Sequence, residues 1–255
     1  QPEGTNTAGD LGAAFAITYQ NRNLFKGSEV FNLQLRGAYE AIRGLEGYKN
    51  QDFIEYSVES SLSFPRIIAP KFLTNIIGNR YDARSEVSVM YDLQNRPEYH
   101  RRVLSMAWKY KWSNEGHHDR YQIDLLDINY LFMPWISDTF RKDYLEDDTN
   151  RNAILRYNYE NLLIMKWGVG YNYNNGRYAI KANVETSGNL LNLCSGLLNF
   201  EKNEQGQYQV FGIAYAQYAK ADFDFTNNIS FDYNNQLIFH VGFGIAYPYG
   251  NSTIL

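Results

Sequence analysis

Cysteine is almost missing: Cys194 stands alone in 255 residues, so neither an internal disulfide framework nor a cysteine-based zinc site can be assembled. Long apolar runs are missing as well. No stretch approaches the ~18 to 20 consecutive apolar residues that a membrane-crossing helix needs, which excludes helical spans. A surplus of charge is lacking too: Lys+Arg 24 against Asp+Glu 28 leaves a net charge of -4, where a nucleic-acid binder would show a basic face. Gln1 to Gly9 contain neither a charged n-region nor an apolar h-region, so no export signal is expected within this sequence. A Ser-centred nucleophile elbow, a phosphate-binding glycine loop and a His-Glu-x-x-His helix are all absent. The expectation is therefore a protein that is not an enzyme, with no catalytic residue, cofactor or metal.

What is present is a folding composition, 44% apolar and 20% charged, with 16% aromatic residues, which excludes a disordered tail. The mean hydropathy of -0.49 does not separate a soluble protein from a transmembrane β-barrel. Barrel strands alternate lipid-facing and lumen-facing residues, which cancel in any hydropathy window.

Alternation dominates the chain. In Phe31 to Ala41, Phe31, Leu33, Leu35, Gly37 and Tyr39 share one parity while Asn32, Gln34, Arg36 and Glu40 share the other. In Ile54 to Phe64, Ile54, Tyr56, Val58, Leu62 and Phe64 oppose Glu55, Ser57, Glu59, Ser61 and Ser63. Tyr81 to Leu93, Leu104 to Trp112 and Tyr178 to Glu185 obey the same rule. Period two is a strand signal, since a helix would scatter these residues around its circumference. Weaker alternation over Ala13 to Tyr19, Tyr121 to Tyr130, Leu163 to Tyr173, Gln209 to Phe225 and Leu237 to Tyr247 brings the expectation to about ten strands. A parity flip at Leu125 and Leu126 predicts a bulge. Asn174-Asn175-Gly176 predicts a tight hairpin, whereas Pro134 to Glu160 and Gly188 to Gln207 read as long polar connections. Short turns on one rim and long loops on the other would be the asymmetry of outer-membrane barrels. Pro65 to Asn79 is apolar enough for a small interfacial helix.

The strands read as about 10 to 13 residues long, where sandwich strands run about 5 to 6, and that length suits a tilted bilayer crossing. The lumen-facing candidates are Arg36, Glu40, Glu55, Glu59, Arg84, Glu86, Lys181 and Glu185. Lipid-facing or interface-girdle candidates are Leu33, Leu35, Tyr56, Val58, Leu62, Trp108, Tyr110, Trp112, Tyr171 and Tyr173. His117-His118-Asp119 reads as a solvated turn rather than a metal site, and Glu146-Asp147-Asp148 as a solvated acidic loop. Gly168, Gly170, Gly242 and Gly244 lie inside strand patterns, where they relieve curvature or leave space. Cys194 reads as an incidental thiol in a polar loop, and the sequons at Asn228 and Asn251 carry no weight.

Gly4-Thr5-Asn6-Thr7-Ala8-Gly9-Asp10, followed by TYQNRNLFKGSEVFNLQLRGAYEA from Thr18 to Ala41, resembles the outer-membrane assembly superfamily of BamA and TamA (bacterial surface antigen barrels), closest to its TamL-like branch. The recognisable unit is strand, Asn-Leu-Phe-x-Gly turn, strand. Leu62-Ser63-Phe64-Pro65-Arg66 and the stretch from Gly242 to Gly250 agree with it. The resemblance implies an all-β, antiparallel up-and-down transmembrane barrel, with residues 1–255 forming one partial domain of a sixteen-stranded family barrel. It implies a multi-pass protein of the bacterial outer membrane, in contact with lipid bilayer and lipopolysaccharide. Client outer-membrane proteins and periplasmic modules or accessory subunits would be its partners, with no nucleic acid. The function it implies is insertion or export of other outer-membrane proteins. A passive porin or solute transporter, and a soluble β-rich binding module, are the alternatives left open by the residues themselves.

Overall fold

The computed structural model describes residues 2–7, 10–42, 52–69, 71, 74, 81–145, 159–195, 200–203, 206–232 and 235–252. Thirteen strands are assigned in order: β1 Pro2–Thr7, β2 Asp10–Asn21, β3 Val30–Ala41, β4 Phe53–Phe64, β5 Tyr81–Asn95, β6 Tyr99–Ser113, β7 Asp119–Ile136, β8 Leu162–Asn174, β9 Tyr178–Ser187, β10 Gln209–Val210, β11 Ile213–Ala214, β12 Tyr218–Ser230 and β13 Gln236–Pro248. Ten long strands and the short β1 form one antiparallel sheet of eleven, ordered β1 through β9, then β12 and β13, with β10 and β11 a separate small hairpin. The ladder is linear. Among the described residues no backbone pairing joins β13 to β1 or β2.

Side-chain alternation becomes a sheet-wide property because the register is in phase at every ladder. Leu35 lies opposite Val58, Val58 opposite Tyr91, Tyr91 opposite Leu104 and Leu104 opposite Tyr130. Farther along, Val169 opposes Val184, Val184 opposes Ala221 and Ala221 opposes Ile245. A one-residue slip anywhere would turn the apolar set of one strand to the wrong side. One face is thus apolar from β2 to β13 and the other polar.

Two irregularities sit in β7. Ladder pairing passes directly from Asp124 to Asp127 against β8, the bulge expected at Leu125 and Leu126. Three residues apart on a regular strand, Asp124 and Asp127 would point to opposite faces. The bulge brings both to the polar one. Near the other end, His100 pairs with Trp135 but Arg102 with Phe132. Pro134 falls in that gap, where its missing N–H removes no ladder bond, and β7 therefore continues to Ile136 instead of ending near Tyr130.

The expected single strand from Gln209 to Phe225 is broken. Phe211 and Gly212 have φ of 54° and 75°, the left-handed conformation of a two-residue hairpin turn, so β10 folds back as β11. Tyr215 then runs beside β8, with the Ala216 N–H donating to the Leu163 carbonyl at 2.9 Å, before β12 starts. This connection also contains a helix, Asn189–Ser195, so Cys194 lies on a helix and not in a polar loop. Leu163, Ile213 and Tyr215 are buried together, with Ile128, Tyr130 and Leu191 packed around them, making a cap on the apolar face at one rim.

The tight turns and long connections are less cleanly segregated than expected. The rim with the long connections after β7 and β9 also has the three-residue link between β5 and β6. At the opposite rim, Lys71 and Thr74 are helical, while the rest of the expected helix beyond Ala69 and all of Glu146-Asp147-Asp148 lie outside the described residues.

Candidate functional site: a cation-lined concave face

The polar face carries a cross-strand ion network. Arg36 bridges Glu55 at 2.8 Å. Lys109 Nζ lies 3.8 Å from both Asp124 and Asp127, and Lys166 reaches Asp127 at 4.0 Å and Glu185 at 3.2 Å. The β7 bulge makes this network, because only it puts both aspartates between the two lysines. At mid-height the face is therefore charge-balanced.

Toward the rim holding the Asn114 to His118 and Asn175 to Arg177 turns the balance is lost. A cavity of about 800 Å³ there is lined by residues of β5 through β9, among them Arg84, Lys111, Arg120 and Lys181. One cavity touched by five successive strands means that the sheet curls around it with the polar face inside. Arg84 sits directly opposite Lys111 in the ladder, a like-charge cross-strand pair that destabilises a sheet unless compensated. Glu86 compensates Lys111 at 2.7 Å. Arg84, Arg120 and Lys181 have no ion pair among the described residues. The nearest register partner of opposite charge, Asp224 across from Lys181, is held by His240 at 3.1 Å. Gln122, Asn172 and Asn183 lie between the cations. Gly170 keeps the floor open, since a Cβ there would come within 2.8 Å of Asn183 Oδ1.

The turns beside the cavity are fixed by side-chain acceptors. Asn175 Oδ1 accepts from the Arg177 and Tyr178 N–H groups at 3.0 and 2.7 Å, which with Gly176 at φ 85° gives the expected hairpin. His117 faces Asp82 at 3.1 Å, and His118 Nδ1 lies 2.9 Å from the Asn174 carbonyl oxygen. Among the described residues no group of three or more His, Cys, Asp or Glu side chains is placed to hold a metal.

The eight residues expected to face a lumen all have the polar parity, and Arg84, Glu86, Lys181 and Glu185 converge in or beside the basin. The other ten share the apolar parity. On that face Val58, Val169, Val241 and Phe243 are 44%, 50%, 60% and 64% exposed. Tyr110 differs. It is 1% exposed, covered by the segment after β4, and donates its hydroxyl to the Ile68 carbonyl at 2.8 Å. Trp112 stacks on Tyr121 at 5.6 Å between centroids, and Tyr121 contacts Tyr171 at 5.3 Å, forming an aromatic row that also lines the basin.

Sequence reasoning missed two polar centres. Glu29 is buried and accepts from the Gly27 and Phe25 N–H groups at 2.9 and 3.3 Å. Hydrogen bonds from backbone N–H groups, its own first and then those of Gly27 and Phe25, lower the pKa of its carboxyl group. The acidic residue two positions after the Asn-Leu-Phe-x-Gly glycine was the available signal. Asn251, passed over as part of a meaningless sequon, clasps the long connection: it accepts from Tyr208 N–H at 2.7 Å and donates to the Tyr208 and Tyr215 carbonyls at 3.0 and 2.9 Å.

Together these features define the class: an all-β antiparallel sheet with one apolar face and one charged concave face that has a cation-lined basin near one rim. Comparison with protein-family models, curated proteins and solved structures returned no match. No helix among the described residues is long and apolar enough to cross a membrane.

Proposed function

We infer that this chain is part of an outer-membrane β-barrel that inserts or exports other outer-membrane proteins, as its resemblance to the BamA and TamA superfamily implies. The observation that carries the reading is a two-faced antiparallel sheet of long strands, apolar on one side and charged on the other. Its apolar face spans strands long enough to cross a bilayer, and such a surface is unsuited to water. β13 is exposed along its whole length and, among the described residues, pairs only with β12. The seam of the complete barrel, which the resemblance does not place in these strands, would supply the physical basis for templating a client barrel, since an unpaired strand edge offers backbone donors and acceptors to an incoming strand. Lipid supplies no substitute partners for those groups. No covalent chemistry is involved.

Depletion of the parent protein tests this. Several unrelated outer-membrane barrels should fall together, and the purified protein in liposomes should accelerate the folding of an added client barrel. The charged concave face favours a second reading, a passive porin. Steady, wide conductance in liposomes without accelerated client folding, together with loss of one nutrient's uptake alone, would select the porin and dismiss the assembly function.

A further inference from the structure

We propose that the cation-lined basin between β5 and β9 is a binding site for an acidic peptide segment, one carrying several carboxylates on a flexible backbone. The inference requires only that the polar face be accessible from water, and it stands apart from the traffic assigned under the proposed function.

Three observations lead to it. The first is an excess of positive charge: Arg84, Arg120 and Lys181 come from three different strands and meet at one cavity without an ion pair among the described residues, and the one acidic residue of the lining, Asp82, faces His117, while the network directly above them is balanced. Arg84 opposes Lys111 in register, and since Glu86 pairs with Lys111, the Arg84 guanidinium is the member of that pair left to meet a bound anion. Second is size. About 800 Å³ far exceeds a single inorganic anion, and cations on separate strands suit several spaced carboxylates. Arg forks additionally match carboxylate geometry in a bidentate way.

The third observation is the chemistry between the cations. Asn172 and Asn183 each present both an amide donor and a carbonyl acceptor, and Gln122, whose amide nitrogen donates to Asp124 at 2.7 Å, adds a carbonyl acceptor. A phosphate, rich in acceptors, uses only the donors; a peptide backbone uses both.

The test uses the intact protein in neutral phosphatidylcholine vesicles and the fluorescence anisotropy of a labelled hexaglutamate peptide, with labelled hexaserine as the uncharged probe. Hexaglutamate should bind saturably, weaken steeply as salt rises, and lose roughly tenfold in affinity with Arg120→Gln or Lys181→Gln. Lys220→Gln removes an equal charge from the same face, but from a lysine paired with Asp222 at 2.8 Å, and should leave binding unchanged. Lys181 lies on the open face, so its variant retains a folded comparison if Arg120→Gln misfolds. Absence of saturable binding would overturn the proposal. So would equal losses with Lys181→Gln and Lys220→Gln, which would mean diffuse attraction. Displacement by tripolyphosphate at concentrations as low as those of unlabelled hexaglutamate would make this a small-anion site and overturn the peptide assignment. Loss of hexaglutamate binding with client folding intact would sink this inference alone.

Discussion

At Gly27 the backbone passes so close to the Glu29 carboxylate that a Cβ would overlap Glu29 Oε1. The neighbours Lys26 and Ser28 adopt φ of 64° and 63°, left-handed conformations that non-glycine residues rarely occupy, and the carboxylate is the acceptor around which that loop closes. Gly27→Ala should destabilise the protein by about 1 to 3 kcal/mol, as overpacking of a tight site does, read as a lowered thermal midpoint. The pH dependence follows from the lowered pKa of Glu29. A carboxyl that is more acidic folded than unfolded adds stability above its unfolded pKa, about 4.3, and loses it as pH falls through the folded value. Glu29→Gln should therefore flatten the fall in thermal midpoint below pH ~4.3, and an unchanged acid limb would remove Glu29 from this role. Tyr110 is the second informative residue. Tyr110→Phe leaves the Ile68 carbonyl without that donor and should cost roughly 1 to 2 kcal/mol, while Tyr91→Phe on the exposed part of the same face should cost little. The sequence shows the turn motif plainly, but the role of Glu29 and the covering of Tyr110 depend on where loops fold back, which alternation does not encode.

Strands were the legible elements because period two is local. Arg36, Glu55 and Val58 fall on the faces that their parity dictates, and the bulge at Leu125 is visible as a break in that parity. From the sequence, β7 is expected to end near Tyr130 because a proline normally ends a strand, whereas here a register shift absorbs Pro134 and the strand runs on to Ile136. The Gln209 to Phe225 segment failed differently: its alternation continues through Phe211 and Gly212, where the backbone reverses. The two-faced reading is testable within one strand. Val58→Arg on the apolar face should cost about 2 to 4 kcal/mol if the position lies near a bilayer midplane, and Glu59→Arg, one residue on, should cost much less. Denaturant unfolding in lipid vesicles measures both. Equal costs would mean that the apolar face does not contact lipid. The basin was half legible: Arg84 and Lys181 were recognised by parity, but Arg120 and Lys111 join them only once four strands are laid in register.

At the scale of the whole molecule, the strand ladder is linear among the described residues. Every interior strand has ladders on both sides, but β13 has one partner, β12, over Gln236 to Pro248, and its outer edge carries a row of backbone groups that lipid cannot satisfy. In a membrane that edge must be paired, by further strands of the same polypeptide or by another chain. The 255-residue chain purified alone in detergent should consequently associate through this edge, appearing as concentration-dependent oligomers by light scattering. Hydrogen exchange should separate the strands in the same sample at low concentration. Amides of β6 and β7, hydrogen-bonded on both sides, should exchange slowest, while alternate amides of β13, those directed away from β12, should exchange almost freely. Raising the concentration should slow exchange at those alternate β13 amides as the edges pair. A monomer whose β13 amides are all as protected as those of β6 would mean that this chain closes on itself in solution.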